Sequence, residues 1–376
     1  MKILIVSYAY LPRISGVAEV IYKLSRKLAE SSTIESITIL CAKYQDEPEL
    51  EQDGKIKIIR YRTFGILQGR VPLISPDFIS KLTNQLRNFR PNQIQTHTRF
   101  SIDTFLTLIW AKFYAIKAIH VEHLADFISG ESSIVNSLSY LWDQTISRMI
   151  FSLSSQVVCV SSSVRDFIIQ NLGANPDKTI VIENGCDFEV LPTTYHQKFA
   201  DKKQFNIFYA ARFVSLKNPM MVLEAIKLLS EKTQSFNFYL AGDGKLKPQM
   251  LEYIKTNSLC NTVYLGKLTS DQMAEQFAKS DIFLNPSRLE GLPGAVLEAV
   301  FCTNIVIASD IGGNRDILKI PQSLIPLKEL SAKTLADKIE FFIHHHSEFL
   351  DQLEQNKTEV TNYFTWQRAA ENYLKL

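Results

Sequence analysis

Cysteine is scarce and scattered. Among 376 residues there are five, Cys41, Cys159, Cys186, Cys260 and Cys302, with no C-x-x-C pair. That excludes a disulfide scaffold and a cysteine zinc site, and predicts reduced, buried thiols. Glycine (14) and proline (13) are too few for a collagen-like or proline-rich chain. Long apolar runs are missing. A spanning helix needs roughly 18–20 uncharged apolar residues, and the best stretch, Phe105–Ala111, is closed off by Asp103 and Lys112. MKILIVSYAY has one lysine and no small-residue cleavage site, so it reads as a first strand rather than a signal peptide. Net charge is nearly absent too. Lys+Arg is 41 against 39 Asp+Glu, which argues against a general nucleic-acid binder.

What is present is ordinary globular composition. Hydrophobic residues make up 46% and charged residues 21%, which excludes wholesale disorder. The length predicts two domains. Charge is uneven locally. Residues 55–117 carry eleven basic residues opposed only by Asp77 and Asp103, just after the acidic run Asp46, Glu47, Glu49, Glu51, Asp53. The plain reading is solvated helix faces; the functional one is a face turned to anionic lipid or an anionic acceptor.

Apolar strand-like runs alternate with helical patterns, twice over. Lys2–Ser7, Ile37–Cys41, Gln93–Thr96, Ala118–Val121 and Gln156–Ser161 read as strands in the first half. Ile134–Leu153 reads as one long helix. Periodicity fades around Pro192 and restarts with the strand Phe205–Ala210. This predicts an α/β protein of two doubly wound, parallel-sheet domains. The expected boundaries are 1–190, a linker 191–203, 204–360, and a C-terminal helix 361–376. Open parallel sheets bind ligands beyond the carboxyl ends of their strands, so a central cleft with loops from both halves is the expected site.

The most specific stretch is Ser280–Ile317, SDIFLNPSRLEGLPGAVLEAVFCTNIVIASDIGGNRDIL. A strand leads to Pro286-Ser287, then Glu290-Gly291, then Pro293 at the opening of a helix. The amides of Gly294, Ala295 and Val296 lack intrahelical partners there and favour an anion. Glu298 follows Glu290 after seven intervening residues. No D-x-D pair stands at a strand end to hold a divalent metal.

This stretch resembles the Glu-x7-Glu signature of glycosyltransferase family 4, retaining enzymes with the GT-B fold of two Rossmann-like domains. Phe208–Lys217, Phe238–Gly244, Val263–Gly266 and Ile180–Asp187 resemble further blocks in the family's order. The resemblance implies a last helix that returns to the first domain, and domain closure that excludes water. It implies that Arg212 and Lys217 hold the diphosphate of a nucleotide-sugar donor, UDP- or GDP-linked, without a metal or other cofactor. Glu298 would accept hydrogen bonds from the ribose, and Glu290 would contact the donor sugar. Gly291, Leu292 and Pro293 belong to the same donor loop. Gly242, Gly266, Lys267 and Leu268 border the base, and Gly312-Gly313 form a tight turn near the donor. Ser15-Gly16 stands where the family has Gly-Gly; Gly16 keeps close backbone approach to the donor. HVEHLADF resembles the family's strand–His block, with His123 the better match and His120 the alternative for the donor-sugar contact. His97 and Arg99 shape the acceptor side or support the sheet, with His120 beside them. The catalytic set is therefore His123, Arg212, Lys217 and Glu290.

The implied activity is transfer of a sugar to an acceptor hydroxyl, in surface-polysaccharide or glycolipid synthesis. The acceptor would be a glycan or lipid-linked. The enzyme would be cytoplasmic, with peripheral contact to anionic membrane and no nucleic-acid partner. A GT-B nucleotide-sugar epimerase and a non-catalytic nucleotide-sugar-binding protein are the alternatives. A hydride-transfer Rossmann enzyme is disfavoured, because no G-x-G-x-x-G follows the first strand.

Overall fold

The computed structural model describes residues 1–13, 15–44, 46–66, 71–73, 75–127, 133–192, 199 and 202–376. Most of the expected linker, Arg70 and part of the apolar loop 64–76 lie outside the described residues. The chain forms two compact units, Met1–Asn184 with Trp366–Leu376, and Gly185–Thr365.

The first unit is built on β1 (Lys2–Ser7), β2 (Ser36–Lys43), β3 (Leu50–Asp53) and β4 (Ile56–Arg62). A small hairpin follows, β5 (Phe64–Ile66) and β6 (Val71–Leu73). Next come β7 (Gln93–His97), β8 (Lys117–Glu122), β9 (Gln156–Cys159) and β10 (Thr179–Val181). The main sheet runs β10-β9-β8-β7-β1-β2-β4-β3, parallel except for β3 against β4. Its order reverses beside β1, so the switch point lies where the carboxyl ends of β1 and β7 diverge. The helix Gly16–Ala29 forms because Ser15 caps it, accepting from the Ala18 amide at 3.1 Å, and Ile21, Leu24 and Leu28 make one buried stripe. The last helix, Trp366–Leu374, packs on that helix and buries Trp366, Ala369, Ala370 and Tyr373.

The second unit holds β11 (Phe205–Arg212), β12 (Phe236–Asp243), β13 (Thr262–Gly266), β14 (Ile282–Asn285), β15 (Ile305–Ser309) and β16 (Leu324–Ile325). All pair in parallel, in the order β13-β12-β11-β14-β15-β16. Ile207, Tyr209, Ile282, Leu284, Ile305 and Ile307 enter one apolar cluster. Phe208, Phe283, Val306 and Ala308 enter another. The two-residue strand period thus feeds both faces of the sheet, which is why these strands read as continuous apolar runs. The switch point lies between β11 and β14.

Three sequence expectations change. Ile134–Leu153 is not one α-helix but Ser133–Trp142, a wide π turn Asp143–Ser147, and Arg148–Leu153. The wide turn delivers Asp143 to a buried cation, as π turns do at functional sites. Part of the basic segment is paired rather than open. The Asp53-Gly54 turn, with Gly54 at φ +56, folds the acidic strand β3 back on basic β4. Arg60 then meets Glu51 at 2.6 Å, Arg62 meets Glu49 at 2.9 Å, and Lys81 meets Asp77 at 2.9 Å. The thiols also differ from expectation, for Cys260 is exposed while Cys41, Cys159 and Cys302 are buried. Among the described residues no helix is long and apolar enough to cross a membrane.

Candidate active site

Because the second sheet is parallel, Arg212, Asp243, Gly266, Asn285 and Ser309 all end strands on one edge. Arg212 is exposed there, its carbonyl accepts from the Val214 amide at 2.8 Å, and its guanidinium makes no hydrogen bond or ion pair among the described residues. The chain then turns through Ser215–Lys217, and Asn218 at φ +52 hands it to the helix Pro219–Lys232. This loop is tied to the end of β14. The Asn218 side chain donates to Pro286 O at 2.7 Å, and the Arg288 amide donates to Leu216 O at 2.8 Å. Tyr209 OH donates to Lys217 O at 2.8 Å. Lys217 Nζ then reaches across the switch point to Glu290 Oε1 at 2.5 Å. The side chains are only 22% and 11% exposed, so water screens this pair less than an ordinary surface pair.

Gly312 and Gly313 have a steric reason. A Cβ on Gly312, at φ +48, would stand 2.1 Å from Glu290 O. The Gly313 amide donates to Gly291 O at 2.7 Å, and a Cβ there would stand 2.6 Å from that same oxygen. The glycine pair lets one loop lean directly on the Glu290 backbone. Beneath it runs a polar network that the sequence pattern does not announce. Ser309 Oγ donates to Ser287 O, and Ser287 Oγ donates to Asn285 Oδ1 at 2.9 Å. Asn314 Nδ2 donates to Ser309 O at 2.9 Å and Asn285 Nδ2 to Asn314 Oδ1 at 3.2 Å. The available signal was Asn285 and Ser309, polar residues closing otherwise apolar strands.

The helix after Glu290 spans Gly294–Phe301. Pro293 is its N-cap rather than its first residue. One expected amide is corrected. Val296 N–H donates to Pro293 O at 3.1 Å and the Val296 side chain is buried in the core, so Gly294 and Ala295 supply the outward amides. Glu298 is half-buried on this helix, Gly291 and Leu292 precede it, and Leu292 packs on Gly313. Gly242 and Gly244 serve packing. At φ +133, a Gly242 Cβ would meet Ala211 O at 1.9 Å, and a Gly244 Cβ would meet Phe213 O at 2.6 Å. Gly266, at φ +75, ends β13; Lys267 is exposed and Leu268 packs against the core.

In the first unit Gly16 opens its helix and is exposed, and a methyl group added there would meet no atom within 4 Å. His97 ends β7 and His123 follows β8. All three expected acceptor-side residues, His97, Arg99 and His120, are fully buried, which favours the sheet-supporting alternative. Arg99 is fully buried; its Nε donates to Asp143 at 2.8 Å and its Nη1 to Glu122 at 2.9 Å. Its remaining N–H groups go to Leu124 O, Asp126 O and Asp143, leaving no donor for an acceptor. His120 is fully buried inside β8, its Nδ1 3.1 Å from Thr96 Oγ1 and its Nε2 3.3 Å from Glu122. Both residues support the sheet. Burial alone would raise the Glu122 carboxyl, but Arg99 and His120 outweigh it and hold the group down at about 2. Loss of water pushes half-buried His123 down to about 4, against the pull of Glu122.

Two family profiles divide this chain between them. The one described as Glycosyltransferase Family 4 matches residues 14–190, and Glycosyl transferases group 1 matches residues 193–360. The chain belongs to glycosyltransferase family 4. This glycosyltransferase is 26% identical over 386 residues to an uncharacterized glycosyltransferase of Methanocaldococcus jannaschii, spanning 100% of this chain and 98% of that one. It is 26% identical over 389 residues to one subunit of the human phosphatidylinositol N-acetylglucosaminyltransferase, spanning 100% of this chain and 75% of that one. Its GT-B fold is shared with the Anabaena protein HepE, solved in complex with UDP-glucose. The TM-score is 0.74 at 17% identity, over 100% of both chains.

Proposed function

We propose that the enzyme takes its sugar from a nucleotide diphosphate, UDP- or GDP-linked, and transfers it with retention to the hydroxyl of a lipid-linked acceptor. The carrying observation is the edge between β11 and β14. Arg212, Lys217 and the Gly294 and Ala295 amides there offer positive charge and donors to a leaving diphosphate. Glu298 accepts from the ribose, and Glu290, oriented by Lys217, receives the donor-sugar hydroxyls. His123 contacts the donor sugar. The bond between the anomeric carbon and the phosphate oxygen breaks, and its electron pair stays on the diphosphate. The acceptor oxygen bonds to that carbon from the same face, and its proton passes to the departing phosphate oxygen. The fixed cations supply the charge compensation, so no divalent metal enters this scheme.

A lipid surface at the cytoplasmic leaflet suits the helix Ser133–Trp142. It carries no charge and buries none of its residues. Ile134, Leu138 and Leu141, one helical stripe, are 70%, 62% and 59% exposed. The human relative's name, which includes phosphatidylinositol, supports the same acceptor class. Arg60, Arg62 and Lys81 of the basic segment are paired with Glu51, Glu49 and Asp77, so the exposed apolar stripe carries this reading.

The test supplies radiolabelled UDP- and GDP-sugars with vesicles containing phosphatidylinositol or polyprenyl-phosphate glycans. The expected result is label in the lipid phase, matched by release of nucleotide diphosphate. Release or epimerised sugar without any acceptor would indicate the epimerase, and binding without chemistry a non-catalytic protein.

A further inference from the structure

Two histidines of the first unit touch. His97 Nδ1 lies 3.1 Å from His123 Nε2, with the rings stacked 5.4 Å apart at 25°. His97 is fully buried, and its other nitrogen, Nε2, has no protein partner. The Nδ1 of His123 has none among the described residues either, so it is the nitrogen that His123 can offer to a ligand. The backbone under this ring is fixed, since Glu122 Oε1 accepts from the His123 amide at 2.9 Å and the Leu124 amide at 3.0 Å.

We infer that His97 is a positioning residue that keeps the His123 proton on Nδ1, so that His123 presents a neutral hydrogen-bond donor to the donor sugar. This rests on the reading of His123 as the donor-sugar residue. A neutral imidazole carries one proton, so a hydrogen bond between two of them couples their tautomers. If His97 Nδ1–H donates, its buried Nε2 is left as a bare lone pair and His123 carries its proton on Nδ1. If His123 Nε2–H donates, a buried N–H is orphaned on His97. Orphaned buried donors are rarer than under-satisfied acceptors, which selects the first state. The groups facing the pair are Glu122 and His120, with Arg99 behind Glu122. Burial, followed by the neighbouring His123 and His120, holds His97 well below its ordinary value, in keeping with two neutral rings. Neutrality suits the chemistry as well. Glycosyl transfer builds positive charge on the sugar ring, and an imidazolium beside it would oppose that charge.

Two-bond 1H–15N correlation spectra of the full chain, with 15N-labelled histidine at neutral pH, read the tautomer directly. The expected spectrum shows His123 protonated on Nδ1. In His97→Phe the ring stays but the donor goes, so His123 should shift to the Nε2–H form, with kcat falling on the order of 10–100-fold and donor KM little changed. In His97→Asn the side-chain amide can replace the donor, so both the Nδ1–H signal and most of kcat should return. An Nε2–H signal for His123 in the wild type, or an unmoved His123 tautomer in His97→Phe, overturns the inference. If His97→Phe fails to fold, the wild-type and His97→Asn spectra decide it alone. Full transfer by His123→Ala with the expected spectra intact would instead overturn the donor-sugar reading and leave the tautomer assignment standing.

Discussion

Lys217→Ala lowers kcat by about 10²–10³-fold, the loss of about 2.7–4 kcal/mol measured for a single preorganised donor at a developing anion. Lys217 qualifies because its loop is fixed before any substrate arrives, by Tyr209, by Asn218 and by the Arg288 amide. Preorganisation of this kind places the charge without reorganisation at the moment of bond breaking. Initial rates of nucleotide release at saturating donor measure the effect. Glu290→Gln is the matched control. It keeps a polar partner for Lys217 while removing the carboxylate, and it should weaken use of the donor sugar without abolishing protein stability. Wild-type turnover by Lys217→Ala would remove the diphosphate assignment.

The second large effect is on stability. Arg99→Met leaves Glu122 and Asp143 buried without their shared cation, which should destabilise the first unit by about 3–5 kcal/mol. At about 2–4 °C per kcal/mol for a unit of this size, the thermal midpoint falls by about 10 °C. The pH dependence has a definite sign. Glu122 is held at about 2, below its ordinary 4.5, so its contribution is complete above 4.5 and is lost as pH falls toward 2. His123 is held at about 4, below its ordinary 6.5. Its unfolded form therefore takes up a proton first, and stability also falls as pH drops from 6.5 to 4. The wild-type midpoint should decline steadily on acidification. In Arg99→Met the Glu122 carboxyl has lost the guanidinium that held it down. The gap between wild type and variant should therefore be widest near neutrality and narrow in acid. Calorimetric scans across that range check both statements, and a variant as stable as wild type at pH 7 would contradict the buried-pair reading.

These two residues mark what the sequence could and could not reveal. The place of Lys217 near Glu290 was legible, because a parallel sheet must end its strands on one edge; its diphosphate role is implied by the family resemblance and is what Lys217→Ala tests. Arg99 was not legible as an interior residue. Its neutralising partners, Glu122 and Asp143, stand 23 and 44 residues away, and Asp143 reaches it only through a π turn that helical periodicity does not encode. His120 was hidden for the same reason, since an alternating strand pattern shows a face but not which face is covered. The acidic and basic runs were visible, yet their mutual pairing depends on the hairpin at Gly54. Gly312 and Gly313 read as a turn. Their need to clear the Glu290 and Gly291 carbonyls is a tertiary contact that only coordinates supply.

The most direct measurement of the donor site is calorimetric titration of UDP and GDP into the wild-type chain and into Glu298→Ala. One of the two nucleotides should bind the wild type at a single site. Its affinity should fall in Glu298→Ala by about 10–100-fold, the loss of a hydrogen bond to a charged group. Failure of both nucleotides to bind the wild type, or equal affinity in Glu298→Ala, would contradict a donor site at the edge between β11 and β14.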